Sequence, residues 1–395
     1  MKIVFINKWF SEKMGYVENY LPSAFGKFGC EVHLVTSDLQ VYADQTELYD
    51  SVYSDFLGEK VVESGVFPKE HYVLHRNKHS NLGGLHISEL NEKLRELKPD
   101  IVYLTEILTI DFLNVIKLKS EIGYEIFTES RLHTSILHWP KNWKELMYYV
   151  RMFNLGRKTS KYISKYYPIA KDVAFNINLI YGIPKSKIKL SALGVDTNKF
   201  SSIRFSSQEK QKFRQSINLN DNDFLCIYTG RLNEDKNPLL LAKAVNYLFN
   251  LGYKNIKALF VGKGTDIYKL KLLENSNCLV KDFVVNSDLP LIYSSSNIGV
   301  WPNQESTSRL DAMSCGLPII INDTISNKKL IKDCGFSFKT NNYIDLANKI
   351  LILYNNKNIY NLKSINSREN IKLNYSWSRI AELKIIDFNY FINKH

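Results

Sequence analysis

The chain has little that would staple, span or clamp a fold. It carries five cysteines among 395 residues, Cys30, Cys226, Cys278, Cys315 and Cys334. An odd number at wide spacing, with no Cys-x-x-Cys pair, excludes a disulfide framework and a zinc site. No stretch approaches the ~18 consecutive apolar residues of a membrane-spanning helix. The opening run Ile3-Val4-Phe5-Ile6 is too short for the apolar part of a secretion signal and ends at Asn7-Lys8, so a cytoplasmic protein is expected. No Gly-Lys-Ser/Thr phosphate loop is present, and Gly262-Lys-Gly264 has Ile267 where a dinucleotide loop needs glycine. Asp221-Asn-Asp223 mimics a metal-binding Asp-x-Asp, but turn chemistry before a strand accounts for it. The expectation is therefore no metal and no cofactor. Acidic residues are also short, 40 against 52 Lys+Arg, a net charge of +12 that favours anionic partners such as nucleotide phosphates.

What is present is a regular alternation. Short apolar runs at Lys2–Ile6, Val32–Thr36, Ile101–Leu104, Glu125–Thr128, Tyr167–Ala170 and Lys189–Ala192 read as strands, and a second series covers Phe224–Thr229, Ile256–Val261, Ile298–Trp301 and Pro318–Asn322. Helical patterns lie between them, as in Val17–Gly29, where Tyr20, Leu21, Ala24, Phe25 and Phe28 form one apolar stripe. Strands alternating with helices predict an α/β fold of parallel sheets covered on both faces. The polar stretch 196–223, with Ser201-Ser202, Ser206-Ser207 and Glu209-Lys-Gln-Lys-Phe-Arg214, reads as a linker into the first helix of a second domain. The predicted organisation is two Rossmann-like domains facing across a cleft, residues 1–200 and 215–376, with an aromatic helix over about 377–395 returning to the first. About 45% of the residues are hydrophobic, enough for two sizeable cores.

Two segments carry chemistry. In Gly230-Arg-Leu-Asn-Glu-Asp-Lys-Asn-Pro238 a buried strand ends at a glycine turn, and Asn237-Pro238 reads as an N-cap with proline at the first helical position. Arg231 and Lys236 then stand at the carboxyl end of a strand and before a helix N-terminus, where open α/β sheets bind ligands and exposed amides favour anions. Arginine offers a forked donor to phosphate oxygens and lysine a point charge. In Trp301-Pro-Asn-Gln-Glu-Ser-Thr-Ser-Arg-Leu-Asp-Ala-Met-Ser-Cys-Gly-Leu-Pro318, Gly316 and Pro318 mark a helix end. Asp311 lies inside that helix beside Leu310, Ala312 and Met313 and needs a partner, whereas Glu305 at its start either joins a site or pairs with Arg309 one turn on.

Three further features stand beside them. Gly15, in the loop before the first helix, lets amides approach a ligand or is a plain loop glycine. His133, just past the strand at Glu125–Thr128, meets a sugar hydroxyl or is structural. The segment from Trp139 to Lys165 mixes basic and aromatic residues as an interfacial helix on anionic lipid would, and as a helix with core aromatics and a solvated basic face would.

In order and spacing these motifs resemble the retaining glycosyltransferases of family four, of GT-B architecture. The resemblance runs through Gly15…Glu18, Phe28–Thr36, Tyr181-Gly-Ile-Pro184, Ser191-Ala-Leu-Gly-Val-Asp196…Phe200, the two segments above, Val261-Gly-Lys-Gly264 and the helix at Trp377. It implies a retaining hexosyltransferase that moves a sugar from a nucleotide-diphosphate sugar to a hydroxyl of a cell-envelope glycan or lipid-linked acceptor, without metal. By the resemblance Arg231 and Lys236 hold the diphosphate, His133 touches the donor sugar and Asp311 grips the ribose hydroxyls. Gly15 supplies amides near the phosphates. Glu305 or Asn303 fills the first carboxylate position, with Ser306 and Thr307 lining the donor where the family is glycine-rich. The chain departs from the family pattern at Asn303, at Asp311 in place of glutamate, at Ser306-Thr307-Ser308 and at Tyr16 in place of a second glycine. The implied partners are the donor, a saccharide acceptor and the inner face of an anionic membrane, with no nucleic acid. A nucleotide-sugar 2-epimerase of the same architecture and a non-catalytic basic membrane- or polyanion-binding protein are the competing functions.

Overall fold

The computed structural model describes residues 1–131, 140–274, 276–303, 307–324 and 328–394. The chain divides into two compact units, Met1–Leu193 with Trp377–His395, and Gly194–Ser376. The stretch 196–223 lies within the second unit, with a helix at Ser207–Ser216 whose Ser206 and Glu209 form a reciprocal cap.

The first unit is built on a seven-stranded sheet in the order β3-β4-β2-β1-β7-β8-β9. Its strands are β1 (Lys2–Ile6), β2 (Glu31–Ser37), β3 (Gly65–Lys69), β4 (Tyr72–Asn77), β7 (Ile101–Leu104), β8 (Glu125–Ser130) and β9 (Lys165–Pro168). All pair in parallel except β3, which runs antiparallel to β4 at the edge. A two-stranded hairpin, β5 (His79–Ser80) and β6 (His86–Ile87), follows β4. The run at Lys189–Ala192, expected as a strand, is not one: a single bridge at Ile188 and two amide bonds, Lys189 to Tyr166 and Ser191 to Pro168, lay it along β9. The helix Trp377–Ile392 completes this unit's core. Phe388 meets Phe127 at 4.5 Å and Phe25 at 5.5 Å between ring centroids, and Trp377 stacks on Tyr20 at 5.9 Å.

The second unit is an all-parallel six-stranded sheet of β10 (Phe224–Thr229), β11 (Ile256–Val261), β12 (Cys278–Lys281), β13 (Ile298–Trp301), β14 (Ile319–Asn322) and β15 (Gly335–Phe338), in the order β12-β11-β10-β13-β14-β15. Counted within the unit this is the doubly wound order 3-2-1-4-5-6, whose direction reverses between β10 and β13. Strands buried on both faces read as continuous apolar runs, and β10, β13 and β14 are buried throughout. The reversal places the loops after β10 and β13 side by side at the carboxyl edge, and both sequence motifs sit on those two loops.

Candidate active site

The loop after β10 is held by its neighbour after β11. Gly262 has φ +150°, and a Cβ there would lie 1.9 Å from the Gly230 carbonyl oxygen, so no other residue fits. The Leu232 amide donates to the Lys263 carbonyl at 2.8 Å, and the Tyr228 hydroxyl to the Arg231 carbonyl at 2.8 Å. Beyond Arg231 the Asn233 side chain accepts from the Lys236 amide at 3.2 Å and closes the turn. The helix begins at Leu239, one residue later than expected, and Asn237 is not its side-chain cap. A residue before proline is kept out of the right-handed helical region, and Asn237 takes the left-handed one at φ +48°. Leu241, Ala244, Val245 and Leu248 anchor the helix with no exposed surface.

Arg231 is exposed and Lys236 half-buried. Burial, and then the nearby Arg231 guanidinium, push the Lys236 ammonium below its ordinary range, with Asp235 opposing. Neither cation has an ion-pair partner among the described residues. Two like charges held together by backbone turns, one of them desolvated, form a site suited to a multiply charged anion.

The loop after β13 is braced against the first. Trp301 Nε1 donates to the Thr229 carbonyl at 3.0 Å and Ser308 Oγ to the same oxygen at 3.2 Å. Asn303 Nδ2 donates to the Asp235 carbonyl at 2.9 Å, while Asn322 Nδ2 bonds the Pro302 carbonyl at 2.8 Å and Asn303 Oδ1 at 3.2 Å. Asn303 thus ties its loop to the loop after β10 through Nδ2 and to the end of β14 through Oδ1. Thr307 stands exposed at the N-cap of the helix Ser308–Ser314. That helix ends as predicted: Gly316 at φ +86° donates to Met313 at 2.9 Å and Leu317 to Ala312 at 3.1 Å, the paired bonds of a Schellman motif.

Asp311, half-buried on this helix, has its carboxyl pushed up to about 8, by burial first and by Asp196, against the attraction of the Lys199 ammonium. Lys199 is the residue that sequence reasoning missed. Asp196 accepts from the Asn198 and Lys199 amides at 3.0 Å each, and Ser314 Oγ donates to the Phe200 carbonyl at 2.7 Å. This turn brings Lys199 to Asp311 from far along the chain. Its only sequence signal is the Asp196…Phe200 stretch within the family-like motif.

In the first unit Gly15 lies exposed in the loop between β1 and the helix Val17–Lys27, where the Tyr16 amide donates to Asn19 Oδ1 at 3.0 Å. Buried Glu18 of that helix pairs with Arg131 at 3.0 Å, Arg131 also meets Glu129 at 3.3 Å, and Tyr103 donates to Glu129 at 3.0 Å. Arg131 is therefore fixed at the end of β8. His133, Glu305, Ser306 and Trp139 lie outside the described residues. Arg231, Lys236, Asn303, Thr307 and Asp311 share the carboxyl edge of the second sheet, and Gly15 belongs to the other unit.

Residues 209–372 match the family model of glycosyl transferases group 1. The chain is 27% identical over 219 residues to the UDP-Gal:alpha-D-GlcNAc-diphosphoundecaprenol alpha-1,3-galactosyltransferase of Escherichia coli, covering 53% of this chain and 56% of the relative. It is 23% identical over 266 residues to the alpha-monoglucosyldiacylglycerol synthase of Acholeplasma laidlawii, 60% of this chain and 62% of the relative. The matches thus span little more than half the length of these curated relatives. Among solved structures it is similar to Anabaena Alr3699/HepE in complex with UDP, with a TM-score of 0.70, 15% identity, and coverage of 99% of this chain and 100% of the other. The chain thus shares the GT-B fold along its length, and residues 209–372 of its second unit match the glycosyl transferases group 1 model.

Proposed function

We propose that this protein is a retaining hexosyltransferase that takes its sugar from a nucleoside-diphosphate donor and places it on a hydroxyl of a lipid-linked or polymeric envelope glycan, without a metal ion. The observation that carries this reading is the pair Arg231 and Lys236, neither ion-paired among the described residues, at the strand-order reversal of the second sheet. As the bond from the anomeric carbon to the phosphate oxygen breaks, its electron pair moves to the diphosphate. The two cations stabilise that charge as it develops. The acceptor hydroxyl attacks from the face the leaving group vacates, its proton passes to a departing phosphate oxygen, and configuration is retained. Asp311 accepts from the ribose hydroxyls, and Lys199 keeps a positive charge beside it. Thr307, at the helix start, stands with Glu305 and Ser306 for the donor, Asn303 sets the loop, and His133 and Gly15 act from the first unit. The acceptor class follows the names of the two relatives, one a transferase to a diphosphoundecaprenol-linked sugar and the other a glycolipid synthase.

Peripheral contact with the cytoplasmic face of an anionic membrane belongs to the same reading. Among the described residues no helix is long and apolar enough to cross a membrane. On the helix Trp143–Thr159, Trp143, Leu146, Met147 and Val150 are 71%, 53%, 57% and 45% exposed, and Lys141, Lys144 and Arg151 are exposed beside them. The spacing i, i+3, i+4, i+7 puts the four apolar side chains on one stripe. An apolar stripe flanked by cations suits anionic lipid.

The experiment is transfer from UDP-, GDP-, CDP- and ADP-sugars to lipid-linked saccharides in the presence of a chelator, with product configuration read from anomeric proton couplings. Transfer with the donor's configuration is expected. Folded protein that transfers from none of the donors, or that needs added metal, contradicts the proposal. An epimerised donor formed without acceptor points to the epimerase instead.

A further inference from the structure

The first sheet has its own reversal of strand order, between β1 and β7, and a cavity of ≈ 50 Å³ opens there. Lys8 from the end of β1, Thr105 and Glu106 from the end of β7, Thr109 and Asp111 from the next helix start, and Leu85 from the β5–β6 hairpin line it. The hairpin is fixed over the cavity by two buried aspartates. Asp38 Oδ1 accepts from the His79 amide at 3.0 Å and from Nδ1 at 2.6 Å, and Asp111 accepts from the Ile87 amide at 3.2 and 3.3 Å. Asp38 is 7% exposed and Asp111 6%.

The chemistry of the lining selects a ligand. Both Asp111 oxygens share one amide hydrogen, which leaves lone pairs free towards the cavity. Burial raises the Asp111 carboxyl to about 6, so it is mostly ionised at neutral pH and desolvated, a condition that favours an added donor. The one cation, Lys8, already pairs with Asp44 at 2.8 Å. Two carboxylates and two threonine hydroxyls beside a neutralised lysine repel phosphate and accept from O–H groups. The volume admits a hydroxyl or hydroxymethyl group rather than a whole ring.

We propose that this cavity is a saccharide subsite, in which Asp111, under the clamped β5–β6 hairpin, accepts a hydrogen bond from a sugar hydroxyl of the acceptor. That the saccharide is the acceptor rests on the glycosyltransferase reading; that the cavity takes a sugar hydroxyl rests on the placement and charge of its lining residues. Diphosphate or lipid portions of an acceptor lie outside this subsite.

The test uses the full chain, with Asp111→Asn, which keeps an oxygen for the Ile87 amide but turns a donor towards the ligand, and Leu85→Trp, which plugs the mouth. Saturation-transfer NMR with methyl glycosides of glucose, galactose and N-acetylglucosamine is expected to show contact in the wild type and loss in both variants. In transfer assays the acceptor KM is expected to rise about ten- to hundred-fold, the loss of one hydrogen bond to a charged group, with the donor KM within twofold. An acceptor KM within twofold of wild type in both folded variants overturns the inference. If Asp111→Asn does not fold, Leu85→Trp decides alone by the same criterion. Glycoside contact that both variants lose, in a protein that transfers from no donor, supports the subsite and counts against the glycosyltransferase reading, so the two fail separately.

Discussion

Replacing Lys236 with alanine removes one of two charges aimed at the departing diphosphate. The magnitude follows from the side chain's surroundings. Lys236 is half-buried, and its turn is fixed by the Asn233 side chain and by the Asn303 bond to the Asp235 carbonyl, so the charge needs little reorganisation during reaction. An ammonium about 4 Å from a phosphate oxygen, at the effective dielectric of partly buried pairs, interacts by ~4 kcal/mol. Removing one preorganised donor in other enzymes costs about 3–4 kcal/mol. Transfer should therefore fall by about two to three orders of magnitude. Because the charge on the bridging oxygen grows as the bond breaks, the loss should fall more on kcat than on the donor KM. Lys236→Arg should recover part of it. The apo protein should not lose stability, since the mutation relieves repulsion between Lys236 and Arg231. The assay is steady-state transfer with thermal unfolding of each variant alongside. Its pH profile adds a sign: the ammonium is the active form and its pKa is lowered, so activity should decline on the alkaline side earlier than an ordinary lysine would dictate. A folded Lys236→Ala protein with unchanged kcat refutes the assignment.

Asp311, with its carboxyl at about 8, should make nucleoside-diphosphate binding tighten as pH rises from 7 to 9, because the ionised form accepts from two ribose hydroxyls; the slope should vanish in Asp311→Asn, and calorimetric titration across that range checks it. Asn303→Ala unties the two site loops and should weaken nucleotide binding by about five- to tenfold, the effect of one ordinary hydrogen bond, read by the same titration. Lys384 of the C-terminal helix is 2% exposed, lies 3.7 Å from the Tyr167 ring centroid, and has no hydrogen bond to its ammonium among the described residues. Burial lowers it from 10.5 to about 8, and 1.36 kcal/mol per pKa unit gives at most about 3 kcal/mol of destabilisation, less whatever the tyrosine faces return. The unfolded chain binds the extra proton between pH 8 and 10.5, so this group makes stability rise with pH across that window. Lys384→Met should raise the Tm at pH 7 and flatten that rise, since Glu129 keeps Arg131 and Asp387 keeps Lys189; a lower Tm contradicts it.

What was legible in the sequence is what burial on two faces or local turn chemistry dictates. The strands β10, β11, β13 and β14 read directly as apolar runs. Edge elements did not: β3 alternates between exposed and half-buried residues and contains Pro68, and β12 and β15 carry polar or charged positions. Lys189–Ala192 has a strand's composition but makes only isolated bonds to β9. Arg231, Lys236 and Asp311 could be found because each lies within a few residues of a turn signal. Lys199 and the hairpin over Asp111 could not, because their neighbours are set by tertiary packing. The boundary at Asn237 moved for a local reason, the proline after it.

The central claim is that Arg231 and Lys236 hold a nucleoside diphosphate. The direct measurement is calorimetric titration of UDP, GDP, CDP and ADP, with their monophosphates, into the wild type and the Arg231→Ala/Lys236→Ala protein. One diphosphate should bind well above its monophosphate, and the double variant should lose at least about a hundredfold in affinity for it. Full affinity retained by the folded double variant would contradict the account.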